Sequence, residues 1–266
     1  QILLETFQRG GSVIIPSFAV GRTQELLYFL KQIKDQNLLG KYQDVPIYVD
    51  SPLAIEATEI FQRNKESCFD EVQRGENPIG VSGLRTAVTS EASMAINADT
   101  RSKIVISASG MCEAGRIKHH LKHNLWKPEN TILFVGYQAV GTLGRRLLEG
   151  ANYVTLFGES VKVAAQIRQL QGMSGHADQK GLELWIQHVQ QVKKVFVIHG
   201  ETTAADTFTE LLNEQGISAY APYSGTEFDV ASGQFLHEAE PVYLEKPKSV
   251  KASATYDRLQ IALDRV

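Results

Sequence analysis

Cysteine is scarce: Cys68 and Cys112 are the only two in 266 residues, too few for a disulfide framework or a four-cysteine zinc site. A reducing, cytoplasmic setting is the economical reading. No apolar run approaches the roughly 18 residues that suggest a membrane span, so no membrane is expected as a partner, and the opening does not read as a signal peptide. A large excess of charge of either sign is missing too. With 27 Lys+Arg against 30 Asp+Glu, the formal net charge is −3. That balance excludes a surface coated in positive charge, but it leaves a local basic groove open. There are no repeats with sequence identity and no low-complexity tract.

What is present is a chain 43% hydrophobic, long enough for one large domain or two modest ones. It opens at Gln1, directly in the helical pattern ILLETFQ with Ile2, Leu3 and Phe7 apolar, and reads as a piece of something longer. Four times, a short β-branched run ends in small residues and leads into a helical pattern. The strands are expected at Val13 to Ile15, Ile47 to Val49, Lys103 to Ile106 and Ile132 to Val135. The first helix should bury Leu26, Leu27, Phe29, Leu30 and Ile33, and the second should start near Leu53. Strands alternating with helices predict an α/β fold with a mainly parallel, doubly wound sheet and helices on both faces. Asn64 to Thr100 is less regular, with Cys68, Phe69 and Val72 on a short helix.

The pattern changes after Gly150. A strand is expected over Val161 to Leu170, a helix over Gln179 to Val189, a strand in KKVFVIHG, a helix over Thr202 to Gln215, and short strands at Ser218 to Tyr223 and Glu227 to Val230. This places a domain border near Glu159. EPVYLEKPKSVKAS and TYDRLQIALDRV read as a linker and a terminal helix, whose Tyr256, Leu259, Ile261 and Leu263 could serve a homodimer contact.

In parallel sheets, ligands bind beyond the carboxyl ends of the strands. Those ends read PSFAVGR, DSPLA, SASGM and GYQAVGT, small residues that leave backbone N–H groups accessible to an anion. They predict a phosphate-tolerant rim, with Arg22 and Arg145 near it. Two histidines fall at the ends of successive later strands, His176 in GMSGHAD and His199 in VIHGE, each beside a glycine and an acid. Neutral imidazole is both a common metal ligand and a proton donor, yet two histidines are half a hydrolytic zinc site. In KHHLKH, His119 and His123 stand at i, i+4, but no Glu follows His119 as a base, and packing or surface roles are expected. GMSGH approximates the nucleophile elbow G-x-S-x-G, with Ser174 as nucleophile and His199 or His237 as base. The fifth position is His176 rather than glycine, and only Asp178 and Glu183 could supply the acid. No G-x-G-x-x-G follows the first strand, which argues against a dinucleotide fold.

FAVGRTQELL, VDSPLA, SASGM, GYQAVGTLGRRLLEG, SGHADQKGL and VIHGE, in this order, resemble the β-CASP branch of the metallo-β-lactamase superfamily, which includes RNA-processing metallonucleases such as ribonuclease J and the pre-mRNA 3′-end endonuclease. The resemblance implies a β-CASP domain over 1–158, the C-terminal strands and helices of a metallo-β-lactamase αββα sandwich over 159–236, and a linker with terminal helix over 237–266. It implies a two-zinc phosphodiesterase acting on RNA, single-stranded RNA above all. His176 matches a proton donor near the scissile phosphate, and His199 matches a zinc ligand. Asp178 would orient the loop or cap the helix. Ser17, Arg22, Ser107, Ser109, Gly110, Ser174 and Gly175 would hold RNA phosphates. The upstream His-x-His-x-Asp-His motif of that family is absent, so this chain by itself should bind zinc poorly and cleave RNA hardly at all. A non-catalytic RNA-binding paralogue and a serine hydrolase using Ser174 are the alternatives.

Overall fold

The runs VIIP, IYV, IVIS and TILF have no polar alternation, and each forms a strand buried at every position, as expected of a parallel sheet covered on both sides. The computed structural model describes residues 1–68, 76–173 and 175–242. Phe69, Val72, Ser174 and the terminal helix expected after 242 lie outside these residues. The first compact unit, Gln1–Gly175, contains in chain order α1 (Ile2–Gln8), β1 (Val13–Pro16), α2 (Arg22–Asp35), β2 (Ile47–Val49), α3 (Pro52–Arg63), α4 (Lys65–Cys68), β3 (Leu84–Thr86), α5 (Ser90–Ala98), β4 (Ile104–Ser107), α6 (Ile117–Asn124), β5 (Thr131–Phe134), α7 (Leu143–Leu148), β6 (Tyr153–Leu156), β7 (Glu159–Lys162) and β8 (Gln166–Gln169).

Six strands form one parallel sheet in the order β3-β2-β4-β1-β5-β8. Side chains alternate across it with a period of two. Val13, Ile15, Ile47, Val49, Ile104 and Ile106 pack on one face with Leu3 and Phe7 of α1 and Leu26, Leu27 and Leu30 of α2. Ile14, Tyr48, Val105, Ile132 and Phe134 pack on the other with Ile96 of α5, Ile117 and Leu121 of α6, and Leu143 and Leu147 of α7. Phe29, expected in the core, is 43% exposed, because the buried stripe of α2 runs through Thr23, Leu26, Leu27, Leu30 and Lys34.

The expected strand over Val161 to Leu170 is two strands, broken at Val163 to Ala165. The break lets β7 pair antiparallel with β6 in a hairpin, while β8 runs parallel to β5. Val154, Leu156 and Val161 bury their side chains against the second face. Both β7 and β8 fall within the first compact unit.

The second unit begins at His176. It contains α8 (Gln179–His188), β9 (Val195–Phe196), α9 (Thr202–Glu214), β10 (Ala219–Tyr220), β11 (Glu227–Asp229) and β12 (Gln234–His237). β9 and β10 pair in parallel, and β11 and β12 form an antiparallel hairpin. Its packing centres on Ile186, Leu212 and the ring cluster of Phe196, Tyr220, Phe228 and Phe235. Among the described residues, no helix is long and apolar enough to cross a membrane.

Phe134 is the largest of the fully buried side chains and lies on the α5–α7 face. Phe134→Ala should lower stability by about 3–5 kcal/mol, measured as a fall in the urea midpoint with an unchanged slope.

Candidate functional site: the strand-end loops and a histidine pair

Because β1, β2, β4 and β5 run parallel, their following loops emerge at one edge of the sheet. Hydrogen bonds lace those loops together. Ser17 N–H donates to Ser107 O (3.0 Å), and Asp50 N–H donates to Ile106 O (2.9 Å). Ser107 Oγ donates to Asp50 O at 2.7 Å. Thr23 Oγ1 donates to Ser17 Oγ at 3.1 Å, and Ser17 Oγ donates to Phe18 O at 3.2 Å. Ser17 and Ser107 are each 1% exposed. These two hydroxyls, expected to hold RNA phosphates, instead brace the loops from within, because a hydroxyl buried this deeply requires an internal partner.

The other rim residues lie nearer the surface. Ser109 is half-buried and accepts from Ala114 N–H at 3.3 Å. Gly110 is buried, and a Cβ there would lie 3.0 Å from the Phe18 ring. Its carbonyl accepts from Gln138 Nε2 at 3.0 Å. Gly144 makes room for that glutamine, since a Cβ would meet Gln138 Oε1 at 1.7 Å; this accounts for the second glycine of GTLG. Arg22 pairs with Glu25, one turn along α2, and Arg145 pairs with Glu149 on α7 at 2.7 Å.

The densest polar cluster lies under this rim and was not singled out by the sequence reading. Asp50, at the end of β2, is fully buried. Its Oδ1 accepts from Arg116 Nη1 at 2.7 Å. Its Oδ2 accepts from Ser93 Oγ at 2.5 Å and from His120 Nε2 at 2.6 Å. Arg116 also donates to the carbonyls of Ala87 (2.9 Å) and Val88 (2.7 Å). The His120 Nδ1 faces Asn97 Oδ1 at 2.9 Å. Burial penalises the Asp50 charge, but the bonds from His120, Ser93 and Arg116 outweigh that penalty and hold its carboxyl below the usual range. A sequence signal did exist. Ile117, His120, Leu121 and Asn124 are the buried positions of α6, spaced i, i+3, i+4, i+7, so His120 is placed inward while its neighbours His119 and His123 point outward.

In the second unit, the chain positions His176 and His199 beside one another, their ring centroids 6.4 Å apart and tilted by 35°. Both are exposed. Asp178 follows His176 as the N-cap of α8, its Oδ1 accepting from Gly181 N–H at 2.8 Å. This bond satisfies a helix-end donor and fixes where α8 begins. His199 has φ of 64° and Gly200 φ of 147°, so the backbone turns sharply between β9 and α9. A left-handed conformation costs a non-glycine residue about 1–2 kcal/mol, and His199 adopts it directly beside the other member of the histidine pair, His176. Gly175 is exposed. The Ser174 of the nucleophile-elbow reading lies outside the described residues, and of the two carboxylates that could complete its triad, Asp178 and Glu183, the first already serves as a helix cap.

His119 and His123 do not form a ligand pair with a third group. His119 stacks on Phe157 at 4.4 Å, and burial lowers the pKa of both imidazoles. Among the described residues, no group of three or more His, Cys, Asp or Glu is arranged to hold a metal ion. The donor chemistry at His176 and His199 suits part of a zinc site, not a whole one.

The Asp50 cluster gives a pH-dependent prediction. A carboxyl whose folded pKa is depressed contributes stability in full above its unfolded pKa, near ~3.9, and that contribution fades as pH falls through the folded value. Asp50→Asn should cost about 3 kcal/mol at neutral pH, since it leaves Arg116 without its buried partner. The gap between parent and variant urea midpoints should narrow as pH falls below 4. A constant gap from pH 7 to pH 2 would show that the charge on Asp50 is irrelevant.

A Beta-Casp domain model matches residues 23–147, and a model described as a Zn-dependent metallo-hydrolase RNA specificity domain matches residues 160–222. The chain is 38% identical over 220 residues to Ribonuclease TTHA0252 of Thermus thermophilus, covering 81% of this chain and 49% of that protein. It is 33% identical over 227 residues to an RNase J-like protein of Methanocaldococcus jannaschii, covering 84% and 51%. It is 31% identical over 214 residues to Transcription termination factor FttA of Methanosarcina mazei, covering 76% and 33%. The chain thus spans about half, or less, of the length of these relatives. Both matched domains, the parallel sheet and the paired histidines point the same way: the chain belongs to the β-CASP family of metallo-β-lactamase-fold proteins.

Proposed function

We propose that this chain grips RNA and contributes two histidines to a two-zinc phosphodiesterase site whose remaining ligands come from other sequence. The observation that carries the reading is the His176–His199 pair, two exposed imidazoles 6.4 Å apart and flanked by a helix cap and a left-handed turn. The match to an RNA specificity domain supports RNA as substrate, and single-stranded RNA is the form whose backbone a strand-end rim can follow. His199 would hold a zinc ion. Zinc, when bound, supplies Lewis acidity to a phosphoryl oxygen. His176 would hold a proton at an imidazole nitrogen and deliver it to the leaving oxygen of the cleaved ester. Gly175 and Ser174 would bring backbone close to a phosphate, because small residues leave space for it. On the strand-end rim, Ser109, the Gly110 backbone and Arg22 are the proposed phosphate contacts, with Ser17 and Ser107 acting indirectly by holding those loops.

The chain by itself is proposed to bind RNA without cleaving it, since its described residues gather fewer than three metal-ligating side chains at any point.

The test uses two preparations. The chain alone should bind a labelled oligoribonucleotide and leave it intact in the presence of zinc. Chelator-sensitive cleavage by the purified chain would overturn the proposal. In a protein joining this chain to the missing ligands, His176→Ala should lower turnover about 10²–10⁴-fold with zinc content unchanged, whereas His199→Ala should lower zinc content itself. Arg22→Ala should weaken binding and reduce the salt slope by about 0.7 for one lost phosphate contact. Full turnover in the His176 variant would remove it from the proton-transfer role.

A further inference from the structure

The outer face of α6 lies outside the hydrophobic core. Its inward positions are Ile117, His120, Leu121 and Asn124. Its outward positions are Lys118, His119, Lys122 and His123, and no acidic residue occurs from Ala114 through Pro128. Beyond α6, Trp126 is 55% exposed with Lys127 Nζ 5.2 Å from its ring centre. The β6–β7 hairpin folds back here. Its tip residue Phe157 is 48% exposed, stacks on His119, and has Lys118 Nζ 5.4 Å and Lys122 Nζ 6.0 Å from its ring centre. One acid, Glu159, joins this patch and pairs with Lys122 at 2.7 Å.

A cleft of about 570 Å³ opens beside the patch. α5 contributes Ser90, Ser93, Met94 and Asn97 to its wall, and Arg116, His119 and His123 line the other side. Met94 is 62% exposed there, a flexible thioether suited to contact with an aromatic face. Arg116 is anchored at the floor by Asp50 and two carbonyls, which fixes its position.

We infer that the α5–α6 cleft, the basic face of α6 and the Phe157 hairpin tip form a second binding subsite for single-stranded RNA, apart from the strand-end rim. The inference rests on the RNA-binding reading above and extends it. Single-stranded nucleic acid calls for this combination, cations that follow phosphates and exposed rings on which bases stack. The rings stand among lysines, a pairing that suits a phosphate backbone with stacked bases, and a duplex offers no unstacked base to the cleft. Lys118, Lys122 and Lys127 would follow the backbone, Phe157 and Trp126 would present stacking surfaces, and the cleft would receive one base against Met94. His119 and His123 line the cleft, and an imidazole N–H there can donate a hydrogen bond to a base edge.

The test uses the full 266-residue chain and an oligouridylate of about twelve nucleotides, with anisotropy titrations at several KCl concentrations. Lys118→Ala/Lys122→Ala should weaken binding and lower the salt slope by about 1.4, two contacts at roughly 0.7 each. Phe157 has φ of 52°; Phe157→Asn keeps a residue that tolerates this left-handed conformation while deleting the ring, and should weaken binding at least about fivefold with little change in slope. Ultraviolet cross-links should map to 116–127 or 153–162. Wild-type affinity and slope in both variants, or cross-links confined to other peptides, would overturn the subsite while leaving the RNA-binding reading intact. No binding by the unsubstituted chain would overturn both.

Discussion

The arrangement of the first unit depends on one buried carboxylate. Asp50 ends β2 inside the protein, and its two oxygens hold a serine from α5, an arginine preceding α6 and a histidine within α6. A charge at that depth is costly unless every lone pair finds a donor, so three separate segments must converge on it. The convergence has consequences further away. The His120 carbonyl accepts from Asn124, Asn124 Oδ1 accepts from Asn130, and Asn130 Oδ1 accepts from the Ser12 N–H that precedes β1. Hydrogen bonds therefore run from the exit of one central strand to the entrance of another. The register of the loops at the strand ends is fixed by polar contacts as much as by the apolar core.

The sheet was legible in the sequence and the Asp50 cluster was not, for a physical reason. Strands buried on both faces leave an unmistakable mark, a short run of β-branched residues with turn residues after it, and β1, β2, β4 and β5 were expected within a residue or two. β3 carries Arg85 and Thr86 at exposed positions, and the β6–β7 hairpin alternates exposed and buried residues, so neither has that mark. The Asp50–His120 contact joins residues 70 positions apart, and nothing local in DSPLA or KHHLKH says that they meet. Helical periodicity shows only that His120 faces inward, not what it faces. Ser17 and Ser107 illustrate the converse. Composition singled them out as small polar residues at strand ends, but it is the backbone path that decides whether such a hydroxyl points to solvent or to a neighbouring carbonyl.

The second unit works under a different constraint. Few of its side chains are fully buried, while Leu184, Trp185 and Ile198 are 56%, 67% and 70% exposed. Two local devices flank the histidine pair, the Asp178 cap on α8 and the positive φ at His199. These devices are readable in SGHAD and VIHGE once the chemistry is considered, since a carboxylate two residues after a histidine and a glycine directly after one are what a cap and a sharp turn require.

The helix α6 shows how the two demands on such a protein are separated. Its inward face carries Ile117 and Leu121 for the core and His120 for the Asp50 cluster, so none of those side chains can change without loss of the sheet's supports. Its outward face carries only lysine and histidine, which contribute nothing to that packing. Lys118 and Lys122, four residues apart, repel one another mildly, and Glu159 and the Phe157 ring offset part of that repulsion through the Lys122 ion pair and the cation–π contacts. A fold indifferent to these positions would gain from an acid at one of them, as pairing at i, i+4 does elsewhere, for example at Arg145–Glu149. The hydrophobic core of the first unit does not require this uniform basic face, whereas an anionic ligand lying along it would.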